Sequence, residues 1–485
     1  MSLTSASPAP RAGTRPDLPS ELPPNAGRAA TGIAIVLVAQ LMLVLDLTVV
    51  NVALPHIGSD LGFGPASLAW VLSAYTLAFG GLLLLGGRLG DVFGRLRVFR
   101  LGLGVFTVAS LVGGLAQDPA VLVGARAFQG IGAALAAPSV LALLTTSAPD
   151  EAARNRSLAL FAAVSSGGAT AGLLLGGILT DLGSWRWTMF INLPLGLAVL
   201  ALVGRFVTET PRRPGRFDVV GAVSATGGAV AIVWSLIGAP DHGWLATRTI
   251  AGLAVGTLLL GVLAVTERRV EHPMLRPELL RNRQRVGAVL TIALMFGAQM
   301  SLFFLVVQYV QQELGYGPLG AGFAIMPGTI GIFATSRVTP RLVARFGPQP
   351  LQVIGTLGLA ASFVWLSGAG VGDTYAAAIF GPVLLNGVSA GLAFLPIQMR
   401  ALGGVEPEHA GAASGLMQTM QQLGGAVGLA VIVSVYAAGS VPGEFVPGVR
   451  EAFLAAATLA VLASLVTVVS GRSPRLTEPA ATAAD

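Results

Sequence analysis

The 485-residue chain has no cysteine, and its 29 basic residues are all arginine, so it has no lysine either. Without cysteine there is no disulfide framework, no thiolate nucleophile and no cysteine metal site. Without lysine there is no Schiff base and no P-loop lysine, which removes ATP-driven pumps of Walker type. Four histidines are too few for a histidine-rich metal or haem site. Charge is scarce as well: 11% of residues are charged, against about 25% in an ordinary soluble domain. What is there instead is apolar, 54% of the chain, with a mean hydropathy of +0.76.

Apolar runs of membrane-spanning length recur along the whole sequence. Fourteen are read, at roughly 30–54, 67–87, 98–116, 119–145, 157–180, 188–208, 218–237, 248–266, 285–309, 318–336, 350–368, 374–397, 411–437 and 448–470. Each can cross a hydrocarbon core of about 30 Å at about 1.5 Å per helical residue. The fold class predicted is an all-α polytopic membrane protein with 14 transmembrane helices, two six-helix bundles plus a two-helix insert.

Arginine placement tests that count. With the N-terminus inside, 25 of the 29 arginines fall on cytoplasmic segments. Only Arg186, Arg248 and Arg450 fall on outer loops, and Arg126 lies within a span. Positive residues accumulate on cytoplasmic loops, and a wrong span count would scramble the alternation. Both termini are therefore expected inside, in the cytoplasmic membrane. The sequence pI of 10.6 is explained by these loops and not by nucleic acid. The parsing gives a disordered cytoplasmic tail at 1–28, which is Pro-, Ala- and Ser-rich. An N-terminal bundle at 29–208, a two-helix insert with flanking loops at 209–284, a C-terminal bundle at 285–470 and a tail at 471–485 follow. The segment Arg88-Leu89-Gly90-Asp91-Val92-Phe93-Gly94 is echoed 253 residues later by Arg341-Leu342-Val343-Ala344-Arg345-Phe346-Gly347. The echo falls at the second loop of each half, as a duplicated transporter requires.

Of the 23 acids only Asp46, and of the arginines only Arg126, lie well inside a span. A charge near the bilayer centre costs about 2.5–3.5 kcal/mol on insertion scales, so each needs a partner or water. Counted from the outer ends of their spans, the two sit at about 12 Å and about 10 Å depth. Similar depth permits a pair or a shared polar cavity without requiring either. Low dielectric disfavours the charged form of a carboxylate, which makes a buried acid a candidate to load and release a proton; a static structural pair is the alternative. Amides within the spans, among them Asn51, Gln129, Gln299, Gln308, Asn386 and Gln418, can line a cavity or bond helices together. Met42, Tyr75, Met295 and Phe304 are candidates for a loose apolar wall, although such residues are more often core or lipid-facing.

The motifs resemble those of the major facilitator superfamily, and more narrowly its fourteen-helix drug:proton antiporters, over roughly 30–470. Leu45-Asp46-Leu47-Thr48-Val49-Val50-Asn51-Val52-Ala53-Leu54-Pro55 is similar to that branch's first-helix signature. Gly87, Arg88, Gly90, Asp91, Gly94 and Arg95 match the loop 2–3 motif, which implies a charge latch on the closed cytoplasmic side. Leu122, Arg126, Gln129, Gly130 and Gly132 match the fourth-helix motif, where the resemblance links the arginine to proton transfer. Gly168, Gly172, Gly176 and Gly177 match the fifth-helix antiporter motif, with Leu173 where the family usually has proline. Trp185-Arg186-Trp187 with Phe190, Ile191, Asn192 and Pro194 resemble the entry to helix six.

The function expected is a proton-coupled antiporter exporting amphipathic or cationic drugs by alternating access. A deprotonated Asp46 would attract a cationic drug and a protonated one would release it, with Arg126 assisting. An exporter of lipid, metabolite or self-made antibiotic on the same scaffold, and an uncoupled facilitator, stay open. The spans hold no paired buried carboxylates, no His–Glu metal set and no Ser-His-Asp arrangement, so no enzyme, metal or cofactor is expected. The partners expected are a small amphipathic molecule, protons and the lipid bilayer, with no nucleic acid, in a monomer.

Overall fold

The computed structural model describes residues 26–471 apart from 65, 149, 213–217, 268, 270–280, 407–409 and 442–444. The tail segments 1–25 and 472–485 and most of the loop 267–284 lie outside the described residues. Among the described residues the regular structure is helical. Fourteen helices are long and apolar enough to cross a membrane: α1 Gly27–Leu61, α2 Ser67–Phe93, α3 Arg95–Gly114, α4 Pro119–Ser147, α5 Glu151–Leu182, α6 Trp187–Phe206, α7 Val219–His242, α8 Thr247–Thr266, α9 Arg283–Gln312, α10 Pro318–Phe346, α11 Pro348–Leu366, α12 Ala376–Leu402, α13 Ala412–Gly439 and α14 Val449–Val469.

The expected spans match these helices, with one systematic difference. Several helices run on past the apolar run at the arginine-rich face, α2 to Phe93 and α10 to Phe346. The segments 88–94 and 341–347, expected as loops, are therefore helical to their last residue but one. Charged residues are compatible with helix once it leaves the apolar run, and Asp91 near the end of α2 pairs with Arg95 at the start of α3 across the turn. The chain reverses at a single glycine in each case, Gly94 at φ 109° and Gly347 at φ 80°. That region is open to glycine and strained for other residues, so the internal repeat extends to backbone conformation.

The first six helices pack together through α2 on α4, α3 on α4 and α1 on α5, and the last six through α9 on α13 and α14, α11 on α12 and α10 on α12. The two bundles meet along two seams, α2 with α13 and α5 with α10. Helix α7 lies across the first seam. A Cβ on Gly81 of α2 would strike Thr226 of α7, and Ser434 Oγ of α13 donates to the Leu236 carbonyl of α7. Helix α8 packs on α7, where Gly228 faces Gly256 backbone to backbone.

The second seam changes along its length. Away from the arginine-rich face it is tight: a Cβ on Gly177 would lie 2.7 Å from Leu319 Cα, and one on Gly322 2.9 Å from the Leu173 carbonyl. Gln311 Nε2 of α9 also donates to the Val52 carbonyl of α1 at 2.8 Å. Toward the arginine-rich face the burial ends. Among the described side chains of 151–167 only Ser157 is buried, and of 332–346 only Thr339 and Val343. The bundles part there along α5 and α10.

Candidate functional site

Asp46 sits on α1 with no exposed surface, and Arg126 on α4 is 1% exposed. They touch: Arg126 Nη1 donates to Asp46 Oδ2 at 2.5 Å. The depth reckoning left this contact open; the packing of α1 on α4 closes it. The guanidinium is held on two further sides, with Nη1 donating to Gln129 Oε1 at 2.9 Å and Nε to the Val71 carbonyl of α2 at 2.9 Å. The Tyr75 ring of α2 lies under it, 4.5 Å from Cζ to ring centroid.

The carboxylate is surrounded by donors. Its Oδ1 accepts from Gln129 Nε2 at 3.1 Å and from Asn192 Nδ2 of α6 at 2.8 Å. Gln129 Nε2 donates also to Ser110 Oγ of α3 at 2.7 Å. Five helices thus converge on one charge. Such a site satisfies the rule that buried charges are paired and hydrogen-bonded, and removing either partner strands the other. Asn192 was visible only as part of the helix-six entry motif. Its position five residues into α6 is only about 7 Å from that helix's start, shallower than the reckoning for Asp46, so the motif was the available signal. Ser110 and the Val71 carbonyl gave none.

Around this site the antiporter glycines form a seam. Gly168 faces Leu41 and Val44, Gly172 faces Thr48 and the Leu45 carbonyl, and Gly176 faces the Val49 carbonyl, all on α1 beside Asp46. A side chain at Gly176 would strike backbone, so α5 can lie this close to α1 only with glycine there. Gly177 turns to α10 of the other bundle instead.

The gate motif lies at the arginine-rich end of the same bundle. Asp91 pairs with Arg95 at 2.6 Å, and Arg95 Nη1 donates to the Pro138 carbonyl at 3.1 Å. Gly87 packs on Pro138, and a Cβ on Gly90 would lie 3.0 Å from Arg95 Cδ. Arg88, the remaining member, has interactions of its own. Gly94 leaves room for Glu209, which follows α6 and accepts from the Leu96 and Arg97 amides at 2.8 and 3.1 Å. A carboxylate at a helix N-terminus is favoured by the free amides and the dipole. Nothing in the sequence singled out Glu209.

The substrate-wall candidates divide. Met42, Tyr75, Gln129 and Phe304 have no exposed surface, Met295 is 4% exposed, and Asn51 and Gln308 are buried. They are packed in the bundles and not presented to an open cavity. Gln129 serves Asp46, Asn51 Nδ2 donates to the Leu47 carbonyl, and Gln308 Nε2 to the Phe304 carbonyl. Gln418 is half-buried on α13. Gln299 and Asn386 come together on a small cleft of about 20 Å³ in the C-terminal bundle, with Leu302, Phe303, Ile325, Thr329, Ile332 and Val383. Its floor is Gly387 against Gly328, where a Cβ on Gly387 would collide with the Gly328 backbone. The cleft carries amides, a hydroxyl and apolar groups, and no charge.

The profile of the Major Facilitator Superfamily matches residues 36–429. The chain belongs to the Major Facilitator Superfamily. Among individual Major Facilitator Superfamily relatives, it is 39% identical to the puromycin resistance protein Pur8 of Streptomyces alboniger, over 90% of this chain and 90% of that one. It is 38% identical to the cephamycin export protein CmcT of Amycolatopsis lactamdurans, over 93% and 94%. Among solved structures, the POT family transporter PepTSo superposes with a TM-score of 0.68 at 14% identity, covering 91% of this chain and 97% of that one, a likeness of fold alone.

Proposed function

We propose that this protein is a proton-driven exporter of amphipathic or cationic small molecules, antibiotics among them, in the cytoplasmic membrane. The arginine-rich face is cytoplasmic, and both termini lie there. The observation that carries the reading is the buried Asp46–Arg126 pair inside a transporter fold, at 2.5 Å and with at most 1% exposure. Relatives named for puromycin resistance and cephamycin export support the substrate class.

Asp46 does not meet the substrate directly in this arrangement, because Arg126, Gln129 and Asn192 occupy its oxygens. Coupling runs through the pair instead. A proton on Asp46 removes the charge that holds Arg126, so α1, α4 and α6 repack, and the glycine seam lets α1 shift against α5. Asp46 takes this proton from outside, after substrate has left; the outer side then closes and the seam along α5 and α10 reopens at the cytoplasmic side, where the proton leaves. When the substrate-loaded, unprotonated site turns outward, the gate motif around Asp91 and Arg95 latches the closed cytoplasmic face. The neutral cleft at Gln299 and Asn386 receives part of the substrate. Each proton entering gains about 2.3 kcal/mol per 100 mV. The two-helix insert holds the α2–α13 seam.

The test is ethidium export from cells, wild type beside Asp46→Asn, with and without an uncoupler. Export that the uncoupler abolishes and the mutant lacks supports the reading. Uncoupler-insensitive export by the wild type contradicts it in favour of a facilitator.

A further inference from the structure

A carboxylate that takes up a proton becomes a donor and needs an acceptor. Asp46 is placed among donors: Arg126 Nη1, Gln129 Nε2 and Asn192 Nδ2 all point their hydrogens at it. The amide oxygen of Gln129 is taken by Arg126 at 2.9 Å. Neutral Asp46 therefore needs an acceptor that none of the three donor atoms now bonded to it supplies. At the same moment Arg126 would lose its counter-charge while still buried.

Tyr75 answers both needs. Its ring lies 4.5 Å from the Arg126 guanidinium carbon, in cation–π contact. The side chain is fully buried, and its hydroxyl has no hydrogen-bond partner. A buried hydroxyl left unpaired is destabilising, and phenylalanine would fill the same volume without that penalty. The hydroxyl has no use in the ion-paired state on view, which points to a use in the other protonation state.

We propose that Tyr75 is the positioning residue for the proton-loaded form of the site: its hydroxyl oxygen accepts the O–H of protonated Asp46, and its ring holds Arg126 once the carboxylate charge is gone. The inference rests on the proton-binding role proposed for Asp46. The charged groups facing Tyr75 are Asp46 from α1 and Arg126 from α4. Ser110 from α3, Asn192 from α6 and the neighbouring Phe79 on α2 are uncharged. The hydroxyl's bond exists only in the protonated state, and the ring, in contact with Arg126 in both states, counts for more once the guanidinium has lost its counter-charge, so losing either makes proton uptake harder and moves it to lower pH.

The experiment is infrared difference spectroscopy of the purified full-length protein across pH, following the carboxyl C=O band that Asp46→Asn removes. It needs no transported substrate. Tyr75→Phe keeps the ring and removes the acceptor; its band midpoint is expected about half to one pH unit below wild type. Tyr75→Leu removes both, for a total acid shift of about one to two units. Should Tyr75→Leu fail to fold, Tyr75→Phe decides alone. Midpoints equal to wild type, or moved to higher pH, overturn the role of Tyr75 while leaving Asp46 as the proton site. A wild type with no Asp46-dependent band overturns both.

Discussion

The two bundles bury charge in opposite ways. The N-terminal bundle buries an acid and a base together at the depth of the membrane, Asp46 with Arg126, and surrounds them with amides from α4 and α6. The C-terminal bundle buries arginines at its arginine-rich end. Arg400 donates to Gln352 Oε1 at 2.8 Å, to Ser470 Oγ at 2.9 Å and to the Gly471 carbonyl at 2.9 Å. Arg285 donates to the Ala401 and Gly403 carbonyls at 3.0 and 3.1 Å. These two close helix C-termini, where the last carbonyls lack partners and a cation is favoured. At membrane depth the C-terminal bundle offers the uncharged cleft instead. The contrast teaches a difference in kind: one bundle buries an acid–base pair at membrane depth, and the other, among its described residues, buries arginines only against neutral acceptors, which is why the proposed coupling and substrate roles fall to different bundles.

Mutations can break that contrast, and the largest effect is expected at the pair. Arg126→Leu leaves a buried carboxylate without its counter-charge and should lower stability by about 3–5 kcal/mol, with loss of coupled export. The double mutant Asp46→Asn, Arg126→Leu should recover most of the stability and none of the coupling. Thermal unfolding in detergent beside dye export separates the two readouts.

Next in size is the glycine seam. Gly176→Ala puts a methyl against the Val49 carbonyl. Overpacking of this kind costs about 1–3 kcal/mol, and export should slow without losing its uncoupler sensitivity. A transport time course at fixed gradient checks this.

In the C-terminal bundle Arg400→Ala removes a cap on neutral acceptors, for a loss of about 1–3 kcal/mol. The pH dependence of export should not move, which is the opposite of the expectation for Asp46 and Arg126. The smallest effect belongs to the cleft. Asn386→Ala or Gln299→Ala should raise KM for some substrates by about three- to tenfold, one hydrogen bond's worth, and leave others unchanged. A panel of dyes and antibiotics compared with wild type tests it.

Much of this was legible in the sequence because a membrane makes rare residues informative. Fourteen spans, the arginine alternation and the isolation of Asp46 and Arg126 all follow from the expense of charge in hydrocarbon. Their contact did not follow, since equal depth says nothing about which helices adjoin. Asn192 carried a polar signal but no direction. Tyr75, Met42, Met295 and Phe304 show the limit most clearly: an aromatic or methionine in a span reads the same from sequence whether it faces a cavity, lipid or a buried guanidinium. Glu209 was invisible because a helix N-terminus waiting for a carboxylate appears only once Gly94 has turned the chain.

The most direct test of the central claim is proton counterflow. The purified protein is reconstituted in proteoliposomes with a pH-sensitive dye inside and no imposed gradient, and ethidium is added outside. The account predicts that wild type moves protons out as ethidium enters, driven backwards by the substrate gradient, and that folded Asp46→Asn moves none. Equal proton movement by wild type and Asp46→Asn would contradict it and place the proton site elsewhere in the chain.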